Sequence, residues 1–333
     1  MNHSYAPFTY EVRKLQNEEY QKFALVSETA QYDSLLNRSV LEGLAARFFF
    51  LELENVGKSV MGKDIPYVKI GKGSKEVCYQ ASIHANEWIT TPVLLRFVEE
   101  YATALADVLT GRGEGYIGNV PARLLYEDYS LYVIPMVNPD GVDLVQGKIM
   151  DERYLMQVQK IAAAYPDIPY PDGWKANIEG IDLNLQFPAG WEEAKRIKYE
   201  QGFTTPAPRD FVGSAPLEAL ESKALYDFTL AHNFQLILAY HTQGEVIYWK
   251  YQDYEPEGSR RIANYFGYVS GYTVEETPFA SGNAGYKDWF IQQYNRPGYT
   301  IEAGMGVNPL PMTQFPKIYQ DNRGILIGGM TEI

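Results

Sequence analysis

His84 and Glu87 stand three positions apart in "ASIHANEWITTP" (residues 81–92), directly after an apolar run with strand character. Only four histidines occur in the chain, so one placed beside a carboxylate at a strand end asks for a reason. Imidazole nitrogen and carboxylate oxygen both bind zinc, and a catalytic zinc site takes three protein ligands and leaves one position open for water. Two other apolar runs end on the same chemistry, "LILAY" at His241 and "YTI" at Glu302. With His84, Glu87 and His241 as ligands, Glu302 stays free to act as a general base. Polar decoration of strand ends accounts for each residue singly, but poorly for the set.

Such a site needs a scaffold that brings distant strand ends together. "FFFLELENVGKSV" and "IPYVKIG" read as strands joined by the turn "MGKD", and "GKGSK" (71–75) reads as a hairpin loop before the strand "EVCYQASI". "TPVLLRFVEEYATALADVLT" has helical spacing with Pro92 suited to a first turn. "LYVIPMV" and "FQLILAYHT" are near-continuous apolar runs, the mark of strands buried on both faces. "NPDG" (138–141) reads as a turn and 148–180 as a long functional loop. "SAPLEALESKALYDFTLAH" reads as a helix capped by Ser214 and stopped at Asn233. Later come a helix in "SRRIANYFGYVSGY" and a strand in "PGYTIEAG". Residues 9–47 suit one or two helices ahead of the sheet. Strands alternating with helices predict a mixed or mainly parallel sheet covered on both faces, and ligands of such sheets bind outside the carboxyl ends of the strands.

The 333 residues, 46% of them hydrophobic, suffice for a large core, and a net charge of −13 argues against a nucleic-acid surface. The single cysteine, Cys78, excludes an intrachain disulfide and any cysteine zinc site, and reads as a buried small hydrophobe. "GRGEGYIG" (111–118) follows a helix and precedes no GK[ST], so it reads as a surface loop and not a nucleotide loop. No apolar run reaches membrane-spanning length and no signal peptide is visible, so the expectation is a protein of the cytoplasm with no membrane partner.

The ordered set "HANE", "NPDG", "GIDLN", "AYHT" and "TIEAG" resembles the zinc carboxypeptidase (M14-type) family over roughly residues 40–325. The resemblance implies a single α/β/α domain (41–333, after an N-terminal helical segment, 1–40) with an eight-stranded mixed, mainly parallel sheet. It implies one zinc per chain on His84, Glu87 and His241, with Glu302 as the catalytic glutamate. Asp182 matches the carboxylate that orients a zinc-binding histidine, and Lys175 in "GWKAN" is the nearest match to the family's oxyanion-binding arginine.

The chain departs from the exopeptidase pattern where that family clamps a free C-terminal carboxylate. "GIDLNLQF" keeps Asn184 but has Leu185 where the clamping arginine belongs, and "HANE" has neutral Asn86 at a second arginine position. Without the guanidinium fork, bidentate capture of a carboxylate is lost. The form "HANEWITTP … GIDLNLQFPAGWEEAK … TIEAG" resembles the bacterial γ-D-glutamyl-meso-diaminopimelate peptidases, which implies a peptide or muropeptide substrate from the cell wall. A carboxypeptidase with its clamp supplied from elsewhere and a non-catalytic muropeptide-binding protein are the alternatives; a pure binder has no use for Glu302. Arg153, Arg196, Arg209 and Arg296 are the candidate readers of the diaminopimelate carboxylates, and some of the 27 tyrosines could line the groove.

Overall fold

Eight strands form one sheet in the computed structural model, which describes residues 24–333. They are β1 (Glu52–Lys58), β2 (Asp64–Ile70), β3 (Lys75–Ala81), β4 (Tyr129–Ile134), β5 (Leu236–His241), β6 (Val246–Tyr248), β7 (Thr273–Glu275) and β8 (Gly298–Glu302). The spatial order is β1-β2-β4-β3-β5-β8-β6-β7. The central run β4-β3-β5-β8 is parallel throughout, whereas β1, β2 and β6 join antiparallel. The "GKGSK" segment is therefore no hairpin loop: β4 lies between β2 and β3. Local spacing marks a strand but not its neighbour, so the insertion left no trace in that segment.

The main helices are α1 (Ser34–Arg47), α2 (Thr90–Leu109), α3 (Pro139–Val145), α4 (Glu152–Ala164), α5 (Trp191–Glu200), α6 (Leu220–Leu230), α7 (Ser259–Ser270), α8 (Tyr286–Tyr294) and α9 (Phe315–Thr331). The two-residue period of β3 divides them into layers. Val77 and Tyr79 point into a core shared with α1, α2, α7 and α9, while Cys78 points into a second core shared with α6 and α8. Cys78 is fully buried, as expected. The result is the expected three-layer α/β/α arrangement. Helix α1 runs across residue 40, and any helix expected before residue 24 lies outside the described residues.

Three local expectations need correction. "NPDG" opens α3: Pro139 occupies its first turn and the Asn138 side chain accepts from Gly141 N at 3.0 Å. Asn-Pro serves a helix start as well as a turn, because proline lacks the N–H that neither needs. The 148–180 stretch contains α4, capped by Asp151, with only Val158 fully buried, so its apolar stripe was thin. Helix α6 begins at Leu220 and not after Ser214, since Glu218 Oε2 accepts from Ser214 N at 2.6 Å and holds the lead-in as a separate turn.

Glu221 in the first turn of α6 has a consequence for stability. It is fully buried, accepts from Val60 N (3.1 Å) and from Asn177 Nδ2 (3.2 Å), and burial pushes its pKa up to about 7. Asn177 in turn accepts from Glu179 and Ile181 N–H, so Glu221 anchors the loop between Lys175 and Asp182. An acid whose folded pKa is raised binds more protons folded than unfolded, so stability falls as pH rises from about 4.5 to about 7. The full loss is on the order of 3 kcal/mol. Glu221→Gln should remove this slope, so urea unfolding at pH 5 and pH 8 should show the variant gaining on wild type at the higher pH. Parallel profiles would mean that Glu221 does not titrate there.

Candidate metal centre

His84, Glu87, His241 and Glu302 come from the carboxyl ends of three adjacent parallel strands. His241 ends β5 and lies in register with Glu302, the end of β8. On the other side of β5, Ala81 of β3 pairs with Tyr240, and the chain leaves β3 through Ser82 at a left-handed φ of 50°. Outside glycine that conformation has to be held in place. Ser82 N donates to Thr90 Oγ1 (3.1 Å) and its hydroxyl lies 2.8 Å from Thr91 Oγ1, while Thr90 Oγ1 donates to Glu87 O at 2.7 Å. These bonds tie the His84–Glu87 turn to the start of α2. Ala85 N donates to Lys175 O (3.0 Å), and Lys175 N and Ala176 N donate to Pro208 O, so two more loops are clipped alongside.

Ligand atoms of His84, Glu87 and His241 lie within 4.8 Å of one another. His84 Nδ1 is 3.0 Å from Glu87 Oε1 and 3.1 Å from His241 Nδ1, which is 3.0 Å from Glu87 Oε2. Zinc bonds of about 2.05 Å in a tetrahedron put ligand atoms about 3.3 Å apart, close to these spacings. Two neutral imidazoles cannot both present lone pairs to each other without a cation between them. The outer nitrogen of His84, Nε2, lies 3.2 Å from Asp182 Oδ1, which fixes the tautomer that leaves Nδ1 unprotonated. The donor set fits zinc.

The electrostatics agree. Burial opposes the His84 imidazolium, but Glu87 and Asp182 overcome it and push its pKa up to about 9. This is a site short of positive charge. Burial likewise would raise the carboxyls of Glu87 and Asp182, yet His84, with Lys175 and the other donors, holds both well below the usual range. Glu302 is different: burial, reinforced by the Glu87 carboxylate, raises it against the pull of His241 and Lys175. Lys175 Nζ donates to Glu87 Oε1 at 2.8 Å, and Glu87 keeps this buried ammonium charged against its desolvation.

A cavity of about 260 Å³ opens beside the cluster, walled by Asn184 and Leu185 together with His84, Asp182, Lys175 and Glu302. Asn184 Oδ1 accepts from Tyr286 N (3.0 Å), and Leu185 also packs on Trp191 and Val212. Asn86 faces an adjoining cavity of about 580 Å³ and donates to Asp172 O at 2.8 Å. Of the four candidate arginines only Arg209 reaches the site, lining both cavities. Arg153 pairs with Asp151, Arg196 with Glu193 and Glu200, and Arg296 with Asn233 and the Phe234 carbonyl. Three further residues of the cavity wall, Tyr248, Lys287 and Asp288, carried no motif. The one signal was a charge pair embedded among aromatics in "YKDWF".

The sequence profile of the zinc carboxypeptidase family matches residues 38–324. The chain belongs to that family. A γ-D-glutamyl-L-diamino acid endopeptidase of Lysinibacillus sphaericus is 43% identical over 307 residues, covering 92% of this chain and 74% of that protein. The uncharacterized protein YqgT of Bacillus subtilis is 39% identical, covering 89% and 76%. Among solved structures, carboxypeptidase A of Helicoverpa armigera matches with a TM-score of 0.64 at 18% identity, covering 98% of this chain and 80% of that one. The fold and the likeness to the diamino-acid endopeptidase branch are thus as expected, and the chain is a metallopeptidase by family. Among the described residues no helix is long and apolar enough to cross a membrane.

Proposed function

We propose that this zinc carboxypeptidase homologue hydrolyses the γ-D-glutamyl–meso-diaminopimelate amide of cell-wall stem peptides, with one zinc held by His84, Glu87 and His241. The observation that carries the reading is the complete His-Glu-His cluster with Glu302 at its edge, set against an apolar Leu185 in the cavity wall. The 43% identity to an enzyme named for a γ-D-glutamyl-diamino acid bond supports the same linkage.

Zinc bound there supplies Lewis acidity and a more acidic water. Glu302, raised by burial, takes the proton of the attacking water and passes it to the leaving amine. Lys175 and Arg209 line both cavities together with Glu302, and their charges favour the developing oxyanion and the substrate carboxylates. Asp182 keeps His84 in its ligand tautomer. Asn184 is the asparagine an exopeptidase also carries, whereas apolar Leu185 and neutral Asn86 stand where a C-terminal exopeptidase needs cations. Soluble muropeptides in the cytoplasm complete the reading.

Zinc-loaded protein incubated with L-Ala-γ-D-Glu-meso-diaminopimelate should release free diaminopimelate and L-Ala-D-Glu, identified by mass. Blocked C-terminal dipeptides should survive the same incubation. Cleavage of the dipeptides alone would replace this reading with a carboxypeptidase whose clamp is Arg209.

A further inference from the structure

Among the described residues, Lys175, Arg209, Glu302 and Tyr248 are the ones that line both cavities of the site. A substrate whose acyl part fills one cavity and whose leaving part fills the other has its scissile bond at this junction. Lys175, Arg209 and Glu302 act there through charge. Tyr248 is the neutral member.

Its position follows from the alternation of β6. Ile247 and Trp249 are buried in the core shared with α1, α2, α7 and α9, so Tyr248 between them turns to the opposite face. β6 runs antiparallel to β8, with Tyr248 opposite Thr300 and Val246 opposite Glu302. Tyr248, Thr300 and Glu302 therefore share the face of the sheet that borders the cavity. Tyr248 and Glu302 are diagonal neighbours on that face, at a spacing of about 7–8 Å that an aromatic side chain can bridge. The Glu302 carboxylate is felt at the phenol: burial first and that charge next raise the Tyr248 pKa above its ordinary value. The phenol stays protonated, and among the described residues its hydroxyl bonds to no protein group.

A scissile amide brings one N–H to the junction, and an N–H taken out of water without an acceptor is costly. Lysine and arginine side chains only donate, and Glu302 is occupied by the proton of the attacking water. The phenol oxygen is the acceptor that remains.

Resting on amide hydrolysis in the reading above, whichever amide is cut, we propose that Tyr248 is a catalytic residue whose hydroxyl oxygen accepts the scissile N–H. It holds the nitrogen while the lone pair freed by attack on the carbonyl turns toward Glu302. The water proton passes from Glu302 to that lone pair, and the C–N bond breaks with its electrons on nitrogen. The amine leaves with both hydrogens, and Tyr248 neither gains nor loses a proton.

A pair of transition-state analogues that differ at one position tests this. In both, a tetrahedral phosphorus replaces the γ-carbonyl carbon of L-Ala-γ-D-Glu-meso-diaminopimelate; one keeps the N–H and the other has oxygen in its place. Zinc-loaded wild type should bind the N–H analogue about tenfold more tightly, the scale of one uncharged hydrogen bond. This comparison requires no variant. Tyr248→Phe keeps the ring and should bind the two analogues within about twofold of each other, with zinc content and melting temperature unchanged. Its kcat on the amide should fall about tenfold. A wild type with no preference for the N–H analogue overturns the proposal, as does a Tyr248→Phe variant that retains the preference. If wild type binds neither analogue but binds the matching pair built on a blocked C-terminal dipeptide, the γ-D-glutamyl reading fails, and the same comparison on that pair decides the role of Tyr248. Binding of neither pair overturns both.

Discussion

Glu302→Gln should keep its zinc and lose about 10²–10⁴-fold in kcat, the range for removal of a positioned general base. The substitution changes one oxygen to an amide and leaves size and shape nearly intact, so the β5–β8 register that sets Glu302 opposite His241 is retained. None of the close contacts among His84, Glu87 and His241 involves Glu302, so metal binding has no reason to change. KM should move little, because the proton is taken only as the water attacks. The acid limb of the pH profile gives a second readout. Burial first, and the neighbouring Glu87 carboxylate next, raise Glu302 above its ordinary value. In the proposed role Glu302 acts as carboxylate, so wild-type kcat/KM should fall as pH drops through that raised pKa, and the limb should vanish in the variant. Turnover unchanged in Glu302→Gln would give the proton to another group.

The metal cluster was legible because it rests on the simplest rule of α/β sheets: chemistry collects at the carboxyl ends of parallel strands. β5 and β8 announce themselves as apolar runs, and His241 and Glu302 are the first polar groups after them. Asp182 followed from family position, and its bond to His84 Nε2 gives the position a physical purpose. Sheet order was less legible, since nothing in β4 says that it slots between β2 and β3. The start of α3 was hidden because Asn138 and Pro139 serve a turn and a helix equally well. The far wall of the cavity was least legible. Lys287 and Asp288 look like the solvated face of an amphipathic helix until α8 is seen with tertiary contacts on nearly every side of its first six residues. Arg209 stood level with three other arginines until the loop after Ala207 folded back, with Asp182 Oδ2 accepting from Asp210 N at 3.1 Å.

His241→Ala should abolish stoichiometric zinc and, with it, activity. The three proposed ligand residues are unequal in origin: His84 and Glu87 come from one short turn already braced against α2, whereas His241 is the sole contribution of β5. Its removal leaves a two-residue ligand set, with water in place of a buried imidazole that is 2% exposed. The fold should survive the change. Glu87 keeps Lys175 Nζ at 2.8 Å and Thr242 N at 3.3 Å, so its carboxylate is not stranded. That separation allows a readout independent of turnover. Added zinc should raise the melting temperature of wild type through selective binding to the folded state, worth about 2.7 kcal/mol at a hundred times Kd. The variant should show no such shift at the same zinc concentration, while the two zinc-free proteins melt close together. Asp182→Asn should fall between them, because it leaves all three metal-site side chains in place and weakens the partner that orients His84, along with the bonds from Asn184 N and Asp210 N, and such orienting partners typically account for about 10- to 100-fold in metal affinity. Full zinc occupancy in dialysed His241→Ala would remove His241 from the ligand set and require a different third donor.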